Sequence, residues 1–177
     1  FNKPVKAIKP NKTKDKKVEI IFQNDSLQYY DEIISTMPIT NLVRSMQNIV
    51  PNEVMKCIDT LKFRNTILVY LQINKDKIFP DQWIYVHTQK LKTGRITNFR
   101  NWAPTINKNK KETILCLEYW TNNNTKLWNE TDKNLINLAS KEIVETGLVS
   151  NILIEKGYVI RLPKCYPVYS LGYKEKL

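Results

Sequence analysis

Histidine and glycine are the scarce residues of this 177-residue chain: there is one histidine, His87, and there are four glycines, at positions 94, 147, 157 and 172. A single imidazole excludes a His-rich zinc site, and as a general base His87 would lack a local nucleophile and an orienting partner. Following Ile84-Tyr85-Val86, it reads as a hydrogen-bonding residue at a strand end. The glycines lie too far apart for G-x-G-x-x-G or G-x-x-x-x-G-K-[ST], so no phosphate-cradling loop is written in these residues. Cysteine is sparse as well. Cys57, Cys116 and Cys165 show no C-x-x-C spacing and sit in apolar or proline-flanked settings, which reads as buried thiols in a reducing compartment, with no metal expected. No run approaches the ~18 apolar residues of a membrane span, and the Lys-rich start has no apolar h-region. The simplest expectation is a cytoplasmic, soluble protein without a membrane span.

What is present is ordinary globular composition, with 42% hydrophobic and 25% charged residues, in a chain long enough to bury a core without a staple. The net charge is +11, yet residues 1 to 17 hold seven lysines against one acid, Asp15, so more than half of the surplus lies in that segment. Affinity for nucleic acid needs basic residues interleaved with exposed aromatics, and these lysines have no aromatic neighbour after Phe1. They read instead as a solvated hairpin. Val5 and Ile8, then Val18, Ile20 and Phe22, flank a polar turn over residues 10–15. Nucleic acid is therefore not the expected partner.

Further along, Asp31 to Thr36 reads as a buried strand ending at Met37-Pro38. Pro38 starts a helix carrying Leu42, Val43 and Met46, and a second short helix follows Pro51 with Val54, Cys57, Ile58 and Leu61 on one face. Thr66 to Leu71 is a continuous apolar run, as in a central strand covered on both sides. Trp83 to His87, Arg95 to Arg100, Thr113 to Trp120 and Tyr158 to Arg161 are further strands, separated by turn signals such as residues 74–77 and 107–110. One long helix interrupts them, capped by Thr131, with Leu135, Leu138, Ala139, Ile143 and Val144 as its buried stripe and Gly147 at its end. The pattern predicts an α+β fold: a mixed, mostly antiparallel sheet flanked by helices and preceded by a β-hairpin or meander.

Three clusters could carry chemistry. Residues 93 to 102 concentrate Arg95, Arg100, Asn98, Asn101, Phe99 and Trp102 around a strand. Such a set can grip an anion in an arginine fork beside an aromatic plane, or it can be a half-exposed strand with structural ion pairs. Glu118, inside the apolar run Leu117 to Trp120, would be a possible acid or base if burial raised its pKa, and is otherwise a glutamate on an exposed strand face. Tyr166, Tyr169 and Tyr173 cluster near the end, where packing is the commoner role. No general acid or base can be named from these residues, so the catalytic set is left unassigned.

Read in order, several segments resemble the flavoprotein superfamily of amine oxidases, protoporphyrinogen oxidases and UDP-galactopyranose mutases. Pro4 to Ile8, the hairpin and Tyr30 to Ile39 resemble that family's run in which a Val near the adenine precedes a meander and a strand reading D-x-[VI]-[IV]-x-T-x-P. Leu61-Lys62-Phe63-Arg64 and the apolar strand after it look like the start of the family's substrate domain. Gly94-Arg95-Ile96-Thr97-Asn98 and Tyr166-Pro167-Val168 resemble mutase segments near the sugar nucleotide and flavin, although Asn98 stands where mutases usually carry an acid.

The resemblance implies a fragment of an FAD-dependent oxidoreductase, inactive by itself, with the Gly-rich phosphate loop upstream. It divides the chain into a partial FAD-domain meander and strand (1–38), a substrate-binding domain (39–165) and a return segment (166–177). Val5 would contact the adenine, and Thr36, Met37 and Pro38 would border the cofactor. Arg95, Arg100, Asn101 and Trp102 would line the substrate side, with Tyr166 and Tyr169 closing it. The basic surface would favour an anionic small molecule such as a nucleotide sugar, the substrate of the alternative, a mutase-like flavin-dependent isomerase. A non-enzymatic basic module binding anions or nucleic acid is the further alternative.

Overall fold

The computed structural model describes residues 2–11, 15, 17–105, 110–150 and 153–176. Half of the expected turn at residues 10–15 and most of that at 107–110 lie outside them. The chain forms two compact units, one of residues 1–62 with 168–177 and the other of residues 63–167.

The first unit opens with a three-stranded antiparallel meander, β1 (Val5–Pro10), β2 (Val18–Phe22) and β3 (Leu27–Tyr30). Ile8, Ile20 and Phe22 are buried along it, as the hairpin reading requires. Two helices follow, α1 (Ile39–Ser45) and α2 (Asn52–Thr60), each with a proline at its N-cap, Pro38 and Pro51. Proline suits a helix start because its fixed φ is already helical in kind and its missing N–H falls where helical donors lack partners anyway. The Arg44 guanidinium meets Asp59 at 2.7 Å and joins the two helices. A 3-10 turn, Tyr173–Lys176, completes the unit.

The segment from Asp31 to Thr36 is not a buried strand. It joins no ladder among the described residues, and Ile34 is 94% exposed while Ile33 and Ser35 are half-buried. Apolar, β-branched sequence favours extended backbone, but a strand exists only where a neighbour takes its hydrogen bonds.

The second unit is a five-stranded sheet in the order β5-β6-β7-β4-β8, with β4 (Lys62–Ile73), β5 (Trp83–Tyr85), β6 (Arg95–Asn98), β7 (Thr113–Thr121) and β8 (Ile154–Val168). A helical turn, α3 (Phe99–Trp102), follows β6, and the long helix α4 (Asp132–Glu145) separates β7 from β8. The expected strand over residues 95–100 thus stops at Asn98, whose side chain accepts from Arg100 N–H and caps α3. Thr131 caps α4 by accepting from Asn134 N–H, and Gly147 ends that helix region at φ +75.

One face of the sheet holds the core. Ile67, Val69, Leu71 and Ile73 of β4 and Leu115, Leu117 and Tyr119 of β7 are fully buried with Leu135, Ala139 and Ile143 of α4. On β4 the alternate residues Leu68, Tyr70 and Gln72 are only half-buried, so the apolar run is covered completely on one face rather than both. The last strand is much longer than the expected Tyr158 to Arg161 and contains two prolines, Pro163 and Pro167. Its edge position tolerates them, since an edge strand need not donate on its outer side. Arg161 ties β8 to the start of α4 through Asp132 at 2.6 Å and the Trp128 carbonyl at 3.2 Å.

Candidate functional site

Antiparallel register decides which side chains share the open face, because directly opposed residues lie on the same side of a sheet. Tyr85 pairs with Arg95, Arg95 with Glu118 and Glu118 with Leu68, which makes one row across four strands. Trp83, Thr97, Cys116 and Tyr70 form the next row on the same side. Ile84, Ile96, Leu117 and Val69, one residue out of step, form a row on the core side.

At the centre of the open face, Arg95 and Glu118 form a two-pronged ion pair. Nε donates to Oε1 at 2.7 Å and Nη2 to Oε2 at 2.8 Å. The Glu118 side chain is only 8% exposed, against 27% for Arg95. The remaining nitrogen, Nη1, lies 3.4 Å from the Tyr85 hydroxyl, and the guanidinium carbon sits 5.8 Å from the Tyr85 ring centre. Hydrogen bonding to Glu118 holds the Arg95 pKa above its usual range, against the opposing effect of burial. Tyr166 lies near enough to add to that shift. Beside the pair, burial pushes the Cys116 thiol up to about 12, with the Glu118 charge acting in the same direction. Tyr70 is raised too, through burial and its neighbour Cys116.

The other residues of the 93–102 cluster divide by role. Arg100 donates from Nε to Thr113 Oγ1 at 3.2 Å and from Nη2 to the carbonyls of Glu112, at 2.8 Å, and Lys110. Asn101 Nδ2 donates to the carbonyls of Phe79 at 2.7 Å and Asp81 at 3.0 Å. Both therefore hold neighbouring loops. Trp102 is 58% exposed and meets Trp83 edge to face at 5.0 Å, giving an aromatic corner beside the ion pair. Tyr166 is 44% exposed on β8. His87 follows β5, exposed, its ring 6.2 Å from that of Tyr85. Among the described residues, no group of three or more His, Cys, Asp or Glu side chains could hold a metal ion.

In the first unit, Val5 begins β1 beside a register shift, Thr36 is exposed, and Met37 and Pro38 are half-buried before α1. Tyr169 is largely exposed against Tyr173, with ring centres 4.8 Å apart. The stretch around Thr36 carries an orphan polar group: Ser35 Oγ is buried without a partner among the described residues. It borders an apolar cavity of about 370 Å³ lined by Ile8, Ile33, Leu42 and Met46.

The sequence did not single out Tyr85 and Trp83 as neighbours of Arg95, since strand pairing is what joins them. Nor did it mark Glu142, which sits on the buried stripe of α4. Its Oε1 accepts from Lys92 N–H at 2.7 Å and its Oε2 from Thr93 N–H at 3.1 Å. A carboxylate four positions from Leu138 and three from Ala139 was the available signal.

No family model and no curated protein matches the sequence. Solved structures do. A reduced UDP-galactopyranose mutase is similar over 89% of this chain, at 22% identity and a TM-score of 0.70. A protein assigned as a protoporphyrinogen oxidase, from Exiguobacterium, is similar over 98% at 16% identity and a TM-score of 0.63. An oxidoreductase from Methanosarcina mazei is similar over 89% at 15% identity and a TM-score of 0.52. The chain spans 35 to 37% of the length of these three proteins. At these identities the likeness is one of fold: the mixed α+β arrangement expected from the residue pattern is the one the chain has, and it is shared with the matching parts of a UDP-galactopyranose mutase and a protein assigned as a protoporphyrinogen oxidase.

Proposed function

We propose that this chain is part of an FAD-dependent oxidoreductase, supplying a portion of the cofactor domain and the substrate-facing sheet. The observation that carries the reading is the likeness in fold, over nearly the whole chain, to about a third of a protoporphyrinogen oxidase and of a mutase. Residues 1–38 would belong to the FAD domain, residues 39–165 to substrate binding and residues 166–177 to the return toward the cofactor. Val5, Thr36, Met37 and Pro38 fit a bordering role. The exposed Thr36 hydroxyl and the orphan Ser35 Oγ are polar groups that a bound molecule could satisfy. When bound, the flavin supplies the electron-transfer chemistry, while the protein contributes orientation and electrostatics.

On the substrate side, Trp102 and Tyr166 offer aromatic surface around Arg95, while Arg100 and Asn101 fix the loops that frame it. These residues contain no Gly-rich phosphate loop, so by themselves they would be inactive. A flavin-dependent isomerase acting on an anionic nucleotide sugar is the second reading, favoured by the TM-score of 0.70 to the mutase. The product of the whole reading frame, purified without added cofactor, is expected to be yellow and to release FAD on denaturation. A colourless protein that also fails to take up added FAD would overturn both flavin readings.

A further inference from the structure

We propose that Glu118 determines ligand specificity on the open face of the five-stranded sheet, by cancelling the charge of Arg95 so that the face takes an uncharged, ring-bearing molecule rather than a phosphate or carboxylate. The inference rests on the reading of this face as the substrate side.

The two arginines of the 93–102 cluster are both engaged within the fold. Arg95 has its Nε and Nη2 donors on the Glu118 carboxylate at 2.7 and 2.8 Å. Arg100 is held by Thr113 Oγ1 and by the carbonyls of Lys110 and Glu112. A diphosphate seeking the fork of Arg95 must displace a carboxylate that already matches it prong for prong. The displaced Glu118, 8% exposed, would be left as a buried charge without its counter-ion. Anion binding at Arg95 is therefore opposed by a group built into the adjacent strand.

What the face still offers suits a neutral ring. Trp83, Tyr85 and Trp102 are 42, 49 and 58% exposed around the pair. Aromatic planes hold rings and the apolar faces of sugars, and the Tyr85 hydroxyl with Arg95 Nη1 beside it can hydrogen-bond uncharged acceptors.

The test compares uridine with UDP, which share a ring and a sugar and differ in the diphosphate. Both are titrated calorimetrically into the intact protein, into Glu118→Gln, and into Arg95→Met/Glu118→Leu, where both partners become apolar. Wild type is expected to bind UDP no tighter than uridine. Glu118→Gln should shift the preference toward UDP by about tenfold or more, the effect of one newly available charged hydrogen bond. The double variant should return to the wild-type ratio. If Glu118→Gln does not fold, wild type against the double variant decides, because replacing both members of a buried pair by apolar residues is commonly tolerated. A wild-type preference for UDP of tenfold or more that either variant abolishes would overturn the proposal and make Glu118 a residue that positions Arg95 for an anion. A ratio that Glu118→Gln leaves unchanged, or failure of every form to bind either probe, also overturns it. The flavin absorbance of the same preparations reports on the flavoenzyme reading separately.

Discussion

The hydroxyl of Tyr119 donates to Glu142 Oε2 at 3.0 Å, joining the middle of β7 to α4 inside the core. Tyr119 is fully buried and Glu142 is 4% exposed. The same carboxylate accepts from the backbone N–H groups of Lys92 and Thr93, so helix, central strand and the loop before β6 converge on one side chain. Burial, with the Glu142 charge beside it, raises the Tyr119 pKa well above the usual phenol range.

Removing the acceptor should cost more than removing the donor. Glu142→Ala would orphan two amides and a hydroxyl, and a loss of about 2–4 kcal/mol is expected from unsatisfied buried groups. Tyr119→Phe leaves the carboxylate its two amide donors, and about 1–2 kcal/mol is expected. Urea unfolding monitored by circular dichroism would give both values. If Glu142→Ala proved milder than Tyr119→Phe, the carboxylate would not be the hub of this contact.

Gly94 is a second position where the fold leaves no room. A Cβ there would lie 2.1 Å from Cζ3 and 2.5 Å from Cε3 of the Trp120 ring. Gly94→Ala must therefore displace the indole or the strand, and the expected cost of such overpacking is about 1–3 kcal/mol. Trp120→Leu in the same chain should recover part of it, giving a coupling in a double-mutant cycle. Strictly additive losses would mean that the ring does not rest on Gly94. Because Gly94 immediately precedes Arg95, the substitution also tests how firmly the ion pair is seated.

Much of this architecture was legible in residue pattern. Periodicity located α4, and Thr131 and Gly147 marked its ends correctly because caps are local hydrogen-bond chemistry. Prolines 38 and 51 announced two helices for the same reason. The segment from Asp31 to Thr36 escaped, since its sequence satisfies a strand and only a neighbouring strand can make it one. Arg95 and Glu118 were each noticed, but 23 positions separate them and their pairing depends on register. Their partnership answers the choice between an anion-gripping arginine and a structural ion pair: in this structure the fork is filled by Glu118. Glu142 was hidden by the ordinary assumption that a helix's buried stripe is apolar.

Alkaline pH should weaken the fold, and Cys116 supplies a measurable part of the effect. Its thiol is buried next to Glu118, and its pKa is pushed from 9.0 to about 12. The folded state therefore keeps the proton at pH values where an unfolded chain has lost it. With a raised folded value, the stabilising contribution is complete below about 9 and is lost as pH rises toward 12. Tyr119 and Tyr70, both raised, act in the same direction over a higher range. The urea midpoint of the wild type should fall as pH is taken past about 9, and Cys116→Val should soften the first part of that fall without removing the rest. The thiol should also resist alkylation at neutral pH, whereas the exposed Cys165 reacts readily. Equal labelling rates at Cys116 and Cys165 in the folded protein would show that Cys116 is not sealed between β4 and β6. A midpoint with the same pH dependence in wild type and Cys116→Val would assign the alkaline loss to the tyrosines alone.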